Sequence, residues 1–179
     1  SGDTASANVY INKYDGLIKI IDAATTAVDG NTTAATAITS GAAGNVDTLV
    51  SDICNARPAK VKSAPNQVLF IGQDNFDKYV DTLNAKNLYH VNATDWANYT
   101  VSIPGKNVTL VGVVGLDGTN RMFLGTQENF FLGFDLQNDE EEFDMWYDKK
   151  DDKVYYRVKF KRGLQVAYPN EIVEFTLAV

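Results

Sequence analysis

Cysteine is almost absent from this 179-residue sequence: Cys54 stands alone, so no disulfide can form within the chain. It falls on the apolar side of a predicted helix and reads as a small buried hydrophobe of a reducing compartment, not as a nucleophile. Histidine is equally scarce. His90 sits among aromatic residues with no partner in sequence that would make it a base, so it reads as a packing residue. Long hydrophobic runs are missing too: stretches such as Val108–Val114 are far too short to span a bilayer, and no charged head followed by an apolar segment stands near the start. The expectation is a soluble, unexported product. Basic excess is also lacking, with 16 Lys and Arg against 23 Asp and Glu and a net charge of -7. Non-specific nucleic-acid binding needs a clustered basic surface, and only Lys159-Phe160-Lys161-Arg162 is locally basic.

What is present supports an ordinary folded domain or two small lobes: 45% of residues are hydrophobic and 22% charged, enough to bury a core. The chain opens on Ser1-Gly2 without an initiator Met, and residues 1–8 read as a tag scar or cleaved edge of a longer parent. Leu17, Ile21, Ala24 and Val28 recur at helical spacing, with Asp15 as cap and Gly30 as stop. Asn31 to Gly44, rich in Thr, Ala and Gly, reads as a flexible surface excursion. Val46, Leu49, Val50 and Ile53 set a second helix ending at Arg57-Pro58, where proline forbids continuation, and a basic linker from Lys60 to Ser63 follows. Gln67–Gly72 is a continuous apolar run typical of a strand buried on both faces, and Asp74 is placed to cap a third helix carrying Phe76, Tyr79, Val80 and Leu83.

Tyr89 to Ser102 lacks any clear period and is read as a loop. Ile103-Pro104-Gly105 predicts a turn, Val108–Val114 a strand, and Gly115–Asn120 a loop returning into Arg121–Leu124. The last third has a period of two. Phe143, Met145 and Tyr147 alternate with Asp144, Trp146 and Asp148; after the polar turn Lys149–Asp152, Val154, Tyr156, Val158 and Phe160 alternate with Tyr155, Arg157, Lys159 and Lys161. After a bend at Arg162-Gly163 and a Pro169-Asn170 turn, Val173, Phe175, Leu177 and Val179 repeat the pattern, so three extended segments are expected to face a common core. The class is α+β, with helices packed on a mainly antiparallel sheet and no internal repeat.

The order of these pieces resembles a known family. Gly16-Leu17 opening a helix, a buried strand ending in Asp74-Asn75-Phe76, then Ile103-Pro104-Gly105, Val108–Val114 and the closing Lys161–Pro169 run resemble the C-terminal two-thirds of tailed-bacteriophage major capsid proteins, the Hong Kong ninety-seven fold. The coat proteins of Bacteroides phages and prophages are especially similar. The resemblance covers the chain from Val9 onward and implies an axial-like domain at 9–142, with a long hairpin and closing strand at 143–179 shared between axial and peripheral domains. It implies a structural subunit of an icosahedral shell that assembles into pentamers and hexamers in the bacterial host cytoplasm and resides in the virion. Its partners would be identical subunits, with scaffold, portal or decoration proteins beside them, and it would use no cofactor. The Lys–Asn isopeptide bond of some members is not implied, because no asparagine falls near Lys153-Val154.

Candidate ring contacts are the loops on this scaffold: Thr32 and Thr33 in the Thr-rich excursion, and Leu116, Asp117, Thr119 and Asn120 at the tip. Asp144 and Asp148 are expected to face Arg157, Lys159 or Lys161 across the hairpin as structural pairs. Two other readings compete. An encapsulin-like nanocompartment shell would share the fold, whereas a monomeric calcium- or ligand-binding module would use the acidic stretch 139–144 with Trp146 and Tyr147. The run Asp139-Glu140-Glu141-Glu142 lacks the Asp-x-Asp-x-Asp-Gly spacing of a calcium loop and reads as a solvated face. Gly112–Gly118 lacks the Lys-Ser/Thr ending of a phosphate loop. Trp146 and Tyr155 read as an interface pair, and no catalytic or metal residue is assigned.

Overall fold

The structure is a computed structural model and describes residues 2–8, 15–31, 37–88, 98–134, 142–159 and 162–177. They form two compact units, one of Ala23–Asn129 with Tyr168–Val179, the other of Ser1–Asp22 with Phe130–Ala167. The chain thus crosses between units near residues 22, 129 and 167, whereas the sequence reading divides it at 142/143.

The larger unit is built on a six-stranded mixed sheet. Its strands are β1 (Val28–Asp29), β2 (Gln67–Gly72), β3 (Thr100–Ser102), β4 (Val108–Val113), β5 (Arg121–Thr126) and β10 (Val173–Thr176), in the order β1-β10-β5-β2-β4-β3. β2 runs parallel to β4 and antiparallel to β5, with Leu69 opposite Leu110 on one side and Leu124 on the other. The run of β2 is apolar because both faces are largely covered: Leu69 and Ile71 on one face have no exposure, and on the other Val68 is buried and Phe70 partly so. Helices α2 (Val46–Ala56) and α4 (Gln73–Ala85) pack against each other, α2 over β10 and α4 over β2 and β4. Val46, Leu49, Val50 and Ile53 point into this core with Phe76 and Tyr79, at the helical spacing of the sequence. Each such side chain contributes about 1.5–3 kcal/mol by burial. Arg57, also buried, ties the end of α2 to β2: its Nε donates to the Cys54 carbonyl (2.6 Å) and its Nη1 to Gln67 Oε1, whose amide nitrogen donates to Ala64 O (2.7 Å).

Several local expectations are corrected. The first helix, α1, spans only Leu17–Ala23; Val28 leaves it to pair in parallel with Val173. The N–H groups of Val28 and Gly30 donate to Ile172 O (2.8 Å) and Glu174 O (2.7 Å), so the backbone here is satisfied by a strand rather than a helical turn. Gly30 is required by that approach, since a Cβ there would stand 2.9 Å from Val173 Cγ1 and 3.0 Å from Glu174 O. Asn31 then extends the ladder with its side chain, donating to Thr176 O (2.7 Å) and accepting from Thr176 N (3.2 Å). The supposed basic linker forms a one-turn helix, α3 (Ala59–Lys62), begun by Pro58. Thr100–Ser102, read as loop, adds an edge strand to β4. His90 lies outside the described residues.

The smaller unit contains α1 and two antiparallel ladders in series along the same pair of chain runs. β6 (Phe130–Phe134) pairs with β9 (Arg162–Val166), and β7 (Glu142–Asp148) with β8 (Lys153–Lys159). The sequence reading missed β6 and treated Arg162-Gly163 as a bend; Gly163 instead faces Gly133 within the ladder. The closing strand is not part of the hairpin's sheet: β10 pairs with β1 and β5 in the larger unit.

At the start of this unit, Asp15 Oδ1 accepts from Lys19 Nζ (2.7 Å) and from the Thr4 N–H and hydroxyl (2.8 Å each), while Lys19 also reaches Asp3 (2.6 Å). The Lys19 hydrogen bond, then those from Thr4, hold the Asp15 carboxyl down from its ordinary 3.8 to about 2. A carboxylate lowered on folding stabilises the fold fully above its unfolded pKa, and the contribution is lost as pH falls through the folded value. An NMR titration is therefore expected to place the Asp15 midpoint near 2 and to move it toward 3.8 in Lys19→Met. An ordinary midpoint in the unaltered chain would contradict this anchor.

Candidate functional site

Two surfaces gather the residues singled out in the sequence: the tip that follows β4 and the β7–β8 hairpin. The tip lies where parallel strands β2 and β4 both end, at Gly72 and Val113, and where α4 begins. Such a place commonly binds anionic ligands in α/β proteins, because free N–H groups of a helix start point outward there. Here the chain's own carboxylate occupies it. Asp117 Oδ1 accepts from the N–H groups of Gln73 and Asp74, so the cap of α4 comes from a residue distant in sequence and not from Asp74, as the sequence reading had it. Asp74 answers from the helix, its Oδ2 accepting from Gly118 N (3.3 Å). Gly72 permits the junction to close: a Cβ would stand 2.8 Å from Leu116 O and nearer still to Asp74 Oδ1.

The tip residues therefore have unlike roles. Leu116 is only 5% exposed and turns inward, Thr119 donates its hydroxyl to Leu116 O (2.7 Å), and Asn120 takes the left-handed conformation that returns the chain into β5 (φ 51°). Asp117 and Thr119 remain exposed at the surface. In the Thr-rich excursion, Thr32 and Thr33 lie outside the described residues. Its described end is tied down, with Ile38 in the core and Asn45 accepting from Thr39 N (2.9 Å) while donating to Ala37 O (2.9 Å).

The hairpin separates its two faces. On one, Asp144 stands opposite Arg157, whose Nη2 donates to Asp144 Oδ2 (2.6 Å), and Trp146 stacks on Tyr155 with ring centroids 5.8 Å apart. Asp148 is opposite Lys153 and Lys159 opposite Glu142, a register different from the wider choice of partners read in the sequence. The turn Lys149–Asp152 fixes it, with Asp148 Oδ1 accepting from Lys150 N (2.8 Å) and Asp152 at φ 53°. The Asp144–Arg157 pair is half exposed and contributes at most about 1 kcal/mol. On the other face Met145 pairs with Tyr156 and Tyr147 with Val154; Met145 is 68% exposed and Tyr156 75%. The alternation that the sequence reading assigned to a core is real, but the apolar side faces outward.

Little here resembles a reaction centre. Burial pushes the Cys54 thiol up, which suppresses the nucleophilic thiolate. Among the described residues no group of three His, Cys, Asp or Glu side chains is placed to hold a metal ion. Asp139–Glu141 of the acidic stretch lie outside the described residues, and Asp144 is engaged with Arg157. A cleft of about 260 Å³ beside β1, lined by Ala24, Ala27, Asp29 and Glu174 among others, is smaller than the usual small-molecule site. No described helix is long and apolar enough to cross a membrane.

If Asp117 is the cap of α4, Asp117→Ala is expected to lower stability to chemical denaturation by about 0.5–2 kcal/mol. Thr119→Ala, which removes a hydroxyl that donates to Leu116 O and accepts a long bond from Arg121 N at the surface, is expected to cost less. Equal and negligible losses would show that the tip does not hold the helix.

No family model matches this sequence. No curated protein matches it either. Solved structures do. A chain of the satellite phage P4 procapsid including size determination (Sid) protein superposes with a TM-score of 0.62 at 16% identity, over 98% of this chain and 54% of that one. A chain of Mycobacterium phage Che8 gives a TM-score of 0.49 at 12% identity, over 87% of this chain and 54% of that one. This chain thus spans about half the length of either. It has the fold of a phage procapsid chain, α+β on a mainly antiparallel sheet, as the sequence resemblance implies.

Proposed function

We propose that this chain is part of a structural subunit of an icosahedral phage or prophage capsid, acting through geometry rather than catalysis. The observation that carries the reading is the superposition of nearly its whole length on a chain of the P4 procapsid. Two features of the chain support it. The tip at the end of β2 and β4 is closed by Asp117 rather than open to a ligand, and a cluster of exposed apolar side chains lies on the β7–β8 hairpin, where a subunit contact can use it.

In this account the rigid sheet-and-helix unit corresponds to an axial domain, and the tip presents Asp117 and Thr119 to identical neighbours around pentamers and hexamers. The paired ladders belong to the peripheral region. Affinity arises from many repeated weak contacts, closed by symmetry. Assembly takes place in the host cytoplasm, with scaffold, portal and decoration proteins as further partners of the finished shell.

Negative-stain microscopy of the product of the reading frame that encodes this chain, expressed alone and with its gene neighbours, is expected to reveal closed shells of uniform size. A uniform monomer under every salt condition tried would overturn the proposal. The 179 residues by themselves are expected to stay monomers or small oligomers by light scattering.

A further inference from the structure

We infer that the β7–β8 hairpin joins copies of this chain head to tail, β8 of one copy adding to β7 of the next; this deepens the coat reading and rests on it. The hairpin is a two-stranded sheet, and among the described residues no further strand pairs with either edge. A lone two-stranded ladder is at best marginally stable in water, and open edges invite another strand. The apolar face makes the same demand: Met145, Tyr147, Val154 and Tyr156 are each more than half exposed.

Charge selects the occupant. The formal charges of β7 are all acidic, Glu142, Asp144 and Asp148, and those of β8 are all basic, Lys153, Arg157 and Lys159. Two copies meeting β7 to β7 would align carboxylates, and β8 to β8 would align cations; both arrangements are repulsive. Only the β8-to-β7 contact sets opposite signs side by side. Because the strands of a hairpin alternate in direction, that contact is antiparallel and can repeat the register within the hairpin, Met145 beside Tyr156 and Asp144 beside Arg157. It also extends one continuous apolar face from copy to copy. Such a contact is heterologous, the kind that closes into rings.

The test uses the full chain with Cys54→Ala, carrying either Met145→Cys or Tyr156→Cys, both exposed positions whose replacement leaves the core untouched. Oxidation with copper phenanthroline is expected to join the two variants by a disulfide when mixed and to leave each alone largely uncoupled, because like positions on successive copies lie two strand spacings, about 9.5 Å, apart. Adding Arg157→Glu to the Tyr156→Cys chain is expected to cut the mixed product roughly five-fold, as loss of one cross-strand charge pair would. Adding Asp144→Lys to its partner is expected to restore it, although each altered hairpin then carries like charges within itself. Recovery on mixing therefore cannot come from refolding of one chain. Cross-linking of Met145→Cys to itself, or no mixed product above the single variants, overturns the inference. Closed shells from the reading frame without the mixed product would reject this contact and leave the coat reading standing.

Discussion

Everything in the larger unit depends on β2 being held on both edges and both faces. Its backbone bonds β4 on one side and β5 on the other, and Leu69 and Ile71 are sealed between helices and sheet. A strand in that position can be nearly all apolar, because only Phe70 retains partial exposure. The neighbours follow from it. β2 leads directly into α4 at Gly72, α4 packs back over β2 and β4, and the tip after β4 must reach back to cap the helix that β2 launched. Arg57 and Gln67 fix the near end of the same strand, so α2 is tied to it as well.

The hairpin obeys the opposite constraint. Its polar face is satisfied within itself by the Asp144–Arg157 pair and the Trp146–Tyr155 stack, while its apolar side chains Met145, Tyr147, Val154 and Tyr156 are left more than half exposed among the described residues. One unit of the chain therefore has a buried core of its own, and the other carries a hairpin whose described apolar side chains remain largely exposed. That division suits the coat subunit proposed above: a rigid part to keep its shape and an exposed part to meet neighbours.

Most of the fold was legible because burial leaves a period in sequence. The stripe from Val46 to Ile53, the unbroken run of β2 and the alternation of β7 and β8 each map onto an observed element. Failures came where a residue's partner lies far away in the chain. Val28 continued a helical spacing, yet its N–H is taken by Ile172, and no local pattern announces that. Asp74 stood in the cap position, but the cap is Asp117, which reaches the helix only because β2 and β4 are parallel neighbours. The direction of the hairpin's apolar face was misread for a related reason: alternation tells which residues share a face, not what covers it. The segregation of acid to β7 and base to β8 was visible from the start, although its bearing on assembly needed the two open edges.

The central claim is that the chain pairs a self-sufficient unit with a hairpin awaiting copies of itself. Amide hydrogen exchange, followed in the dilute 179-residue chain and in assembled particles of the parent, tests it most directly. The account predicts that β2, β4 and β5 are strongly protected in both states, whereas β7 and β8 exchange quickly in the dilute chain and become protected on assembly. Protection of β7 and β8 in the dilute chain equal to that of β2, unchanged in particles, would contradict it.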